Sequence, residues 1–151
     1  MINIEIFSEG IRFPYKKIGR KKIRDIARKA AGLLMLENSR VTLIITDNAY
    51  IRTINKKFRG KDVPTDVLSF SYNDDQFPRV DATRENIGDI YISAEQATQQ
   101  AEEYRTALIY EIRRLIVHGL LHLAGYDHEK SSEDEAVMMQ KEEELCGRIM
   151  I

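Results

Sequence analysis

Apolar residues recur along this chain with two periods, and each period predicts a type of element. Ile2, Ile4 and Ile6 alternate with Asn3 and Glu5, which predicts a strand over residues 2–7 with one wet face. Ser8-Glu9-Gly10 reads as a turn, and Pro14 interrupts the apolar run from Ile11 to Tyr15. From residue 17 to 36 the period lengthens to that of a helix. Ile23, Ile26, Ala27, Ala30, Leu33 and Leu34 form its apolar stripe, and Lys17, Arg20, Lys21, Arg24 and Arg28 form the opposite side. Residues 41–45, Val-Thr-Leu-Ile-Ile, are β-branched enough for a second strand. Thr46-Asp47-Asn48 then offers caps for a helix over about 48–57, ended near Gly60.

The second half repeats the alternation. A loop with Pro64 leads into a strand at 67–71, and the polar stretch 73–86 with Pro78 reads as a surface excursion. Gly88–Ser93 predicts another strand. Ser93 with Gln96 makes a capping box for a helix to about Tyr104. Residues 106–123 carry Leu108, Ile109, Ile112, Leu115, Ile116, Leu120 and Leu123 around much of a helix, which should therefore be central and buried. Ser132 with Glu135 opens a last helix to about Gly147, with Val137, Met138, Lys141 and Leu145 near helical spacing. Met138 and Met139 are read as core packing. The expectation is an α+β (α/β-like) fold: one domain over residues 1–151, with a small mixed sheet of about four strands and about five helices.

Composition narrows the class. Hydrophobic residues make up 43% and charged residues 31%, as in ordinary soluble domains. No apolar run approaches the roughly 18 residues of a membrane span, and the first residues do not read as a signal peptide. The single cysteine, Cys146, excludes an internal disulfide framework and fits a reducing compartment. A cytoplasmic protein without membrane contact is expected. The net charge of −1 hides an asymmetry: residues 1–61 hold 15 Lys/Arg against 5 Asp/Glu, and residues 62–151 hold 8 against 19. Either the basic half meets a polyanion or the two halves attract each other in the fold. The basic helix face is open to the same two readings, phosphate contact or solubility.

All three histidines lie in His118-Gly-Leu-Leu-His122-Leu-Ala-Gly125-Tyr-Asp-His128. Residues four apart share a helix face, so His118 and His122 point the same way. Gly125 suits the left-handed residue that ends a helix, after which the chain can bring His128 back to the same point. Three imidazoles without a cysteine pair predict an open zinc site with one position left for water, although an Asp or Glu as fourth ligand is not excluded. Three unrelated histidines, some bonded in the core, is the plainer alternative. The spacing also matches the metzincin protease pattern, except that Gly119 stands where those enzymes carry the glutamate base.

The loop after the second helix gathers Arg59, Asp62, Thr65 and Asp66. Arg59 is the candidate catalytic residue. Its planar guanidinium offers paired donors to a phosphate and stays charged. Its other reading is a surface or ion-paired arginine with Asp62 as mate. Asp66 is read as bonding backbone amides of the loop. Asp89 either turns inward toward the ion or faces solvent. Asp127, beside the third histidine, is open between general base, orienter of His128 and helix cap.

The stretch HGLLHLAGYDH resembles the signature of the YbeY family of metal-dependent endoribonucleases, and two further segments agree. Asn55–Phe70, NKKFRGKDVPTDVLSF, and Gly88–Ser93, GDIYIS, are similar to family motifs and come in the family's order. Phe58 departs from the tyrosine that members often carry, losing a hydroxyl and keeping a ring. The resemblance implies the same architecture, with a metal cleft between the sheet side and the histidine helix, and an important role for Arg59. It also implies a zinc-dependent, single-strand-directed endoribonuclease acting in ribosomal RNA maturation and ribosome quality control. Ribosomal RNA, the ribosome and assembly proteins would be its partners. A zinc metalloprotease-like hydrolase, or a metal-containing ribosome-binding factor with little catalysis, are the alternatives.

Overall fold

A computed structural model describes residues 2–36, 39–72, 86–126 and 131–151. The chain runs β1 (Asn3–Glu9), α1 (Arg20–Leu33), β2 (Arg40–Thr46), α2 (Asn48–Arg59), β3 (Val67–Ser71), β4 (Asn86–Ser93), α3 (Ala94–Glu103), α4 (Leu108–Leu123) and α5 (Ser132–Arg148). One mixed four-stranded sheet has the order β1-β2-β4-β3. β1 pairs parallel with β2 and β2 with β4, while β3 runs antiparallel to β4 at the edge. The expected α+β class, with four strands and five helices, is observed.

Strand alternation sorts the core. Ile2 just before β1, Ile4 and Ile6 of β1, Val41, Leu43 and Ile45 of β2, and Ile90 and Ile92 of β4 share one buried cluster with residues of α1, α3, α4 and α5. The side chains between them point to the other face. There α2 buries Ile51 and Ile54 against Leu68, Phe70 and Tyr91 in a second, smaller cluster.

Most predicted boundaries hold within three residues, and the exceptions have local causes. The first helix begins at Arg20, not residue 17. Lys16 and Lys17 take φ of 47° and 71°, and Tyr15 and Ile18 exchange two backbone hydrogen bonds of 2.9 Å across them. Two-residue turns of this kind favour Asn or Gly, so paired lysines were not read as one. The same helix stops at Leu33 because Met35 turns to φ 58°. The last helix is capped by Ser131, whose hydroxyl accepts from Asp134 N, not by Ser132. Its buried side is Met138, Glu142 and Leu145, and Val137 is exposed. The Ser93 cap is observed, accepting from Gln96 N at 3.2 Å, but Ser93 N donates to Asp66 O rather than to Gln96. The polar excursion falls on residues 73–85, outside those described, except that Asn86 opens β4.

Candidate active site

The site is built around α4. It packs against α1, α3, α5, β3 and β4, so nearly all its circumference is occupied. His118 and His122 sit one turn apart on it, half-buried, with ring centroids 4.9 Å apart and planes at 70°. The helix ends as expected. Ala124 is its cap and Gly125 takes φ 104°. Gly125 N bonds His122 O at 3.1 Å and Tyr126 N bonds Leu121 O at 3.0 Å, the pair of bonds that turns a chain away from a helix end. His128 and Asp127 lie outside the described residues. Two of the three predicted ligands are thus brought together. Among the described residues no three His, Cys, Asp or Glu side chains converge as a ligand set.

Gly119 is the point where α4 crosses the sheet. A Cβ there would lie 2.7 Å from Ile90 Cγ2 and 3.1 Å from Ser69 Oγ. The position faces packed β-strand, so a glutamate has no room. Sequence comparison shows only that the protease base is missing; the packing shows that this helix, as seated, has no place for one.

Behind the histidines stands a buried carboxylate that sequence reasoning missed. Glu142 of α5 places Oε1 3.3 Å from His118 Nδ1 and 3.5 Å from Arg114 Nη1. Arg114 also pairs with Glu111, which is 2% exposed, and with Asp66 Oδ2 at 3.6 Å. Gln100 closes the network by donating to Asp66 and to Glu111. Burial works against the charge of Arg114, but Glu111, Glu142 and Asp66 outweigh it and hold the guanidinium protonated. One signal was available: Met138, Glu142 and Leu145 form a single helical stripe, and one member is an acid.

This arrangement fits a resident metal ion. Histidines that bind metals commonly give their other ring nitrogen to a carboxylate, which sets the tautomer and the ring angle. His118 Nδ1 faces the Glu142 carboxylate at 3.3 Å, a contact without hydrogen-bond alignment, and Nε2 lies on the other side of the ring.

Arg59 reaches this region from the other face of the sheet. It is the last residue of α2, where Gly60 ends the helix with φ 69°. Its Nη2 donates to Ser69 O at 3.4 Å, and its guanidinium lies 5.8 Å from the centre of the Phe70 ring. Ser69 in turn donates its hydroxyl to Gly119 O at 3.4 Å. Edge strand β3 therefore links Arg59 to the histidine helix through one residue. The expected Arg59–Asp62 pair is not what holds Asp62. Arg52 bonds it at 2.8 Å and Lys56 approaches to 4.0 Å, and the Arg52 bond holds the Asp62 carboxyl below its usual range. Arg52 and Lys56 are one turn apart on the side of α2 facing the loop, whereas Arg59 leans over β3.

The remaining acids separate cleanly. Asp66 Oδ1 accepts from Val67 N at 2.8 Å, as expected of a loop-fixing carboxylate. Asp89 is neither turned to solvent nor seated with the histidines. It accepts from Tyr72 OH at 2.8 Å, and burial raises its pKa despite that bond.

The α+β domain thus sets paired histidines on a buried helix beside an arginine at the adjoining sheet edge, side chains of the kinds hydrolases use. The family model described as Endoribonuclease YbeY matches residues 6–150. A relative with that description from Sulfurihydrogenibium sp. is 40% identical over 99% of this chain and 91% of its own. Another from Enterococcus faecalis is 41% identical over 93% and 94%. A solution structure from Thermotoga maritima superposes with a TM-score of 0.62 at 29% identity, covering 95% of this chain and 86% of that one. The chain belongs to the Endoribonuclease YbeY family.

Proposed function

We propose that this chain is a zinc-dependent endoribonuclease that cuts single-stranded segments during ribosomal RNA maturation and ribosome quality control. The family supports the coarser part, a hydrolase acting on RNA. The observation that supports the metal is His118 and His122 on one helix, with ring centroids 4.9 Å apart and the Glu142 carboxylate 3.3 Å behind His118.

His118 and His122, with His128, would hold the ion. A divalent ion bound there would supply Lewis acidity to the scissile phosphate and to its attacking water. Arg59 offers two parallel donors to the scissile phosphate and offsets the charge that grows on it. Ser69 O and the Phe70 ring hold that guanidinium in one plane before substrate arrives, so less order is lost on binding. Gly119 lets α4 lie close against β3 and β4, fixing both imidazoles relative to the edge strand. Glu142, itself 3.5 Å from Arg114, stands 3.3 Å behind the His118 ring and offers it a negative charge.

The test is cleavage of a structured ribosomal RNA precursor by metal-loaded wild type, His122→Ala and Arg59→Ala. His122→Ala should abolish cleavage. Arg59→Ala should lower it about a hundredfold or more, the order seen when one transition-state donor is removed. Undiminished cleavage by a metal-free, folded His122→Ala protein would reject the reading. Metal-dependent casein hydrolysis with RNA left intact would replace it by the protease alternative.

A further inference from the structure

We infer that the Lys16–Lys17 turn and the outward face of α1 anchor the phosphate backbone of an RNA strand at a distance from the cleavage cleft. This rests on the RNA-cleaving reading above and adds a second contact surface to it. Between Arg12 and Lys29 stand nine Lys/Arg and one acid, Asp25. Ile23, Ile26, Ala27, Ala30 and Ala31 are buried, so the cations take the solvent side, and Lys16, Lys17, Lys21, Lys22, Arg28 and Lys29 are exposed.

Attraction between the two halves of the chain does not use up this charge. Among the described residues the ion pair on this surface is Lys21–Asp25, at 3.3 Å, and Lys29 reaches a main-chain oxygen, that of Met150. No carboxylate of the acidic second half meets α1 among those residues. The turn adds an independent sign. Lys16 and Lys17 hold left-handed backbone conformations that folding alone assigns to Asn or Gly. Strained positions of this kind concentrate where function keeps the side chain.

The surface is separate from the cleft. α1 packs on β1 and α4, while Arg59 lies at β3, the opposite edge of the sheet. Three inter-strand steps of about 4.8 Å part the two edge strands. Arg20 to Lys29 spans about 14 Å of helix, a length suited to several consecutive phosphates. A membrane surface would need apolar side chains beside the cations. The exposed large hydrophobic residues at this surface, Met35 and Met150, lie at the C-terminal end of α1, and none falls between residues 16 and 33.

The test binds a labelled RNA of about 20 nucleotides to the full chain carrying His122→Ala, with and without Lys21→Ala, Arg24→Ala and Arg28→Ala together. Affinity at 0.1 M salt should fall about tenfold or more. The slope of log affinity against log salt should shrink by about 2, for three lost phosphate contacts on a single strand. Without His122→Ala, the triple variant should raise KM for the long RNA at unchanged kcat and cleave a roughly six-nucleotide RNA as wild type does. Lys17→Gly should weaken RNA binding while raising the melting temperature, because glycine relieves the turn. A folded triple variant with wild-type affinity and salt slope overturns the anchor, as does tighter wild-type binding to phosphatidylserine vesicles than to RNA. Failure of the wild type to cut the short RNA would count against the proposed function and leave the binding result standing.

Discussion

On one face of the sheet, Val41, Leu43, Ile45, Ile90 and Ile92 lie buried beneath α1 and α4. On the other, α2 covers Leu68 and Phe70 at one side, and Phe7 of β1 stays 54% exposed. The first face has no spare volume, as the contacts a Cβ at Gly119 would make demonstrate. The second is thinner and wetter. It accommodates Arg59 stacked over Phe70, and the Tyr72–Asp89 bond lies half-buried. The histidines stand on the crowded face, where packing fixes rotamers, and Arg59 comes from the loose one, where a charged group stays solvated. The two meet at Ser69, on the edge strand that both faces share.

Substitutions should therefore act differently on the two faces. The largest effect after the histidines and Arg59 is expected at Glu142→Leu. Without the carboxylate behind Nδ1, metal affinity measured by chelator competition should fall 10- to 100-fold. In nitrogen-15 spectra of the metal-free protein, His118 should lose its Nδ1–H preference. Wild-type affinity in a folded variant would show that packing alone sets the ring. Gly119→Ala should destabilise by about 1–3 kcal/mol, as overpacking does in well-filled cores. For a chain of this size that lowers the melting point by roughly 2–4 °C per kcal/mol. Phe7→Ala, on the open part of the other face, should stay within about 0.5 kcal/mol of wild type. Equal losses at the two positions would erase the contrast.

The smallest effect is electrostatic. Burial raises the Asp89 pKa in the folded chain, so the folded state binds this proton more tightly than the unfolded one. The resulting stability is present below the unfolded value of 3.8 and is lost as pH rises through the folded value. Asp89→Asn keeps an acceptor for Tyr72 and removes the titration. In urea melts the variant should therefore gain on wild type between pH 4 and pH 7. A gap that stays constant would mean that the Tyr72 bond balances burial, and one that narrows would mean that it outweighs burial.

How much of this was legible depended on range along the chain. The helix end at Gly125, the cap on Ser93 and the strand at β3 are set by neighbours within a few residues, and periodicity or capping chemistry displayed them. The Lys16–Lys17 turn is just as local but escaped, because lysine is not the residue such a turn prefers. Glu142 reached the site unread because 24 positions of chain separate it from His118, and only the packing of α5 on α4 closes that interval. Asp62, weighed as a mate for Arg59, is bonded by Arg52 instead, since helix direction, not proximity in sequence, decides which carboxylate a guanidinium meets.

By itself the sequence determined the order of the elements, the paired imidazoles one helical turn apart and the glycine that ends their helix. All of these follow from backbone geometry over a single turn or strand repeat. Tertiary structure alone decided that Gly119 faces the sheet, that an acid from the last helix stands behind His118, and that Ser69 joins the arginine to the histidine helix. Those contacts arise only when separate elements pack, because close packing, not sequence spacing, selects which side chains touch.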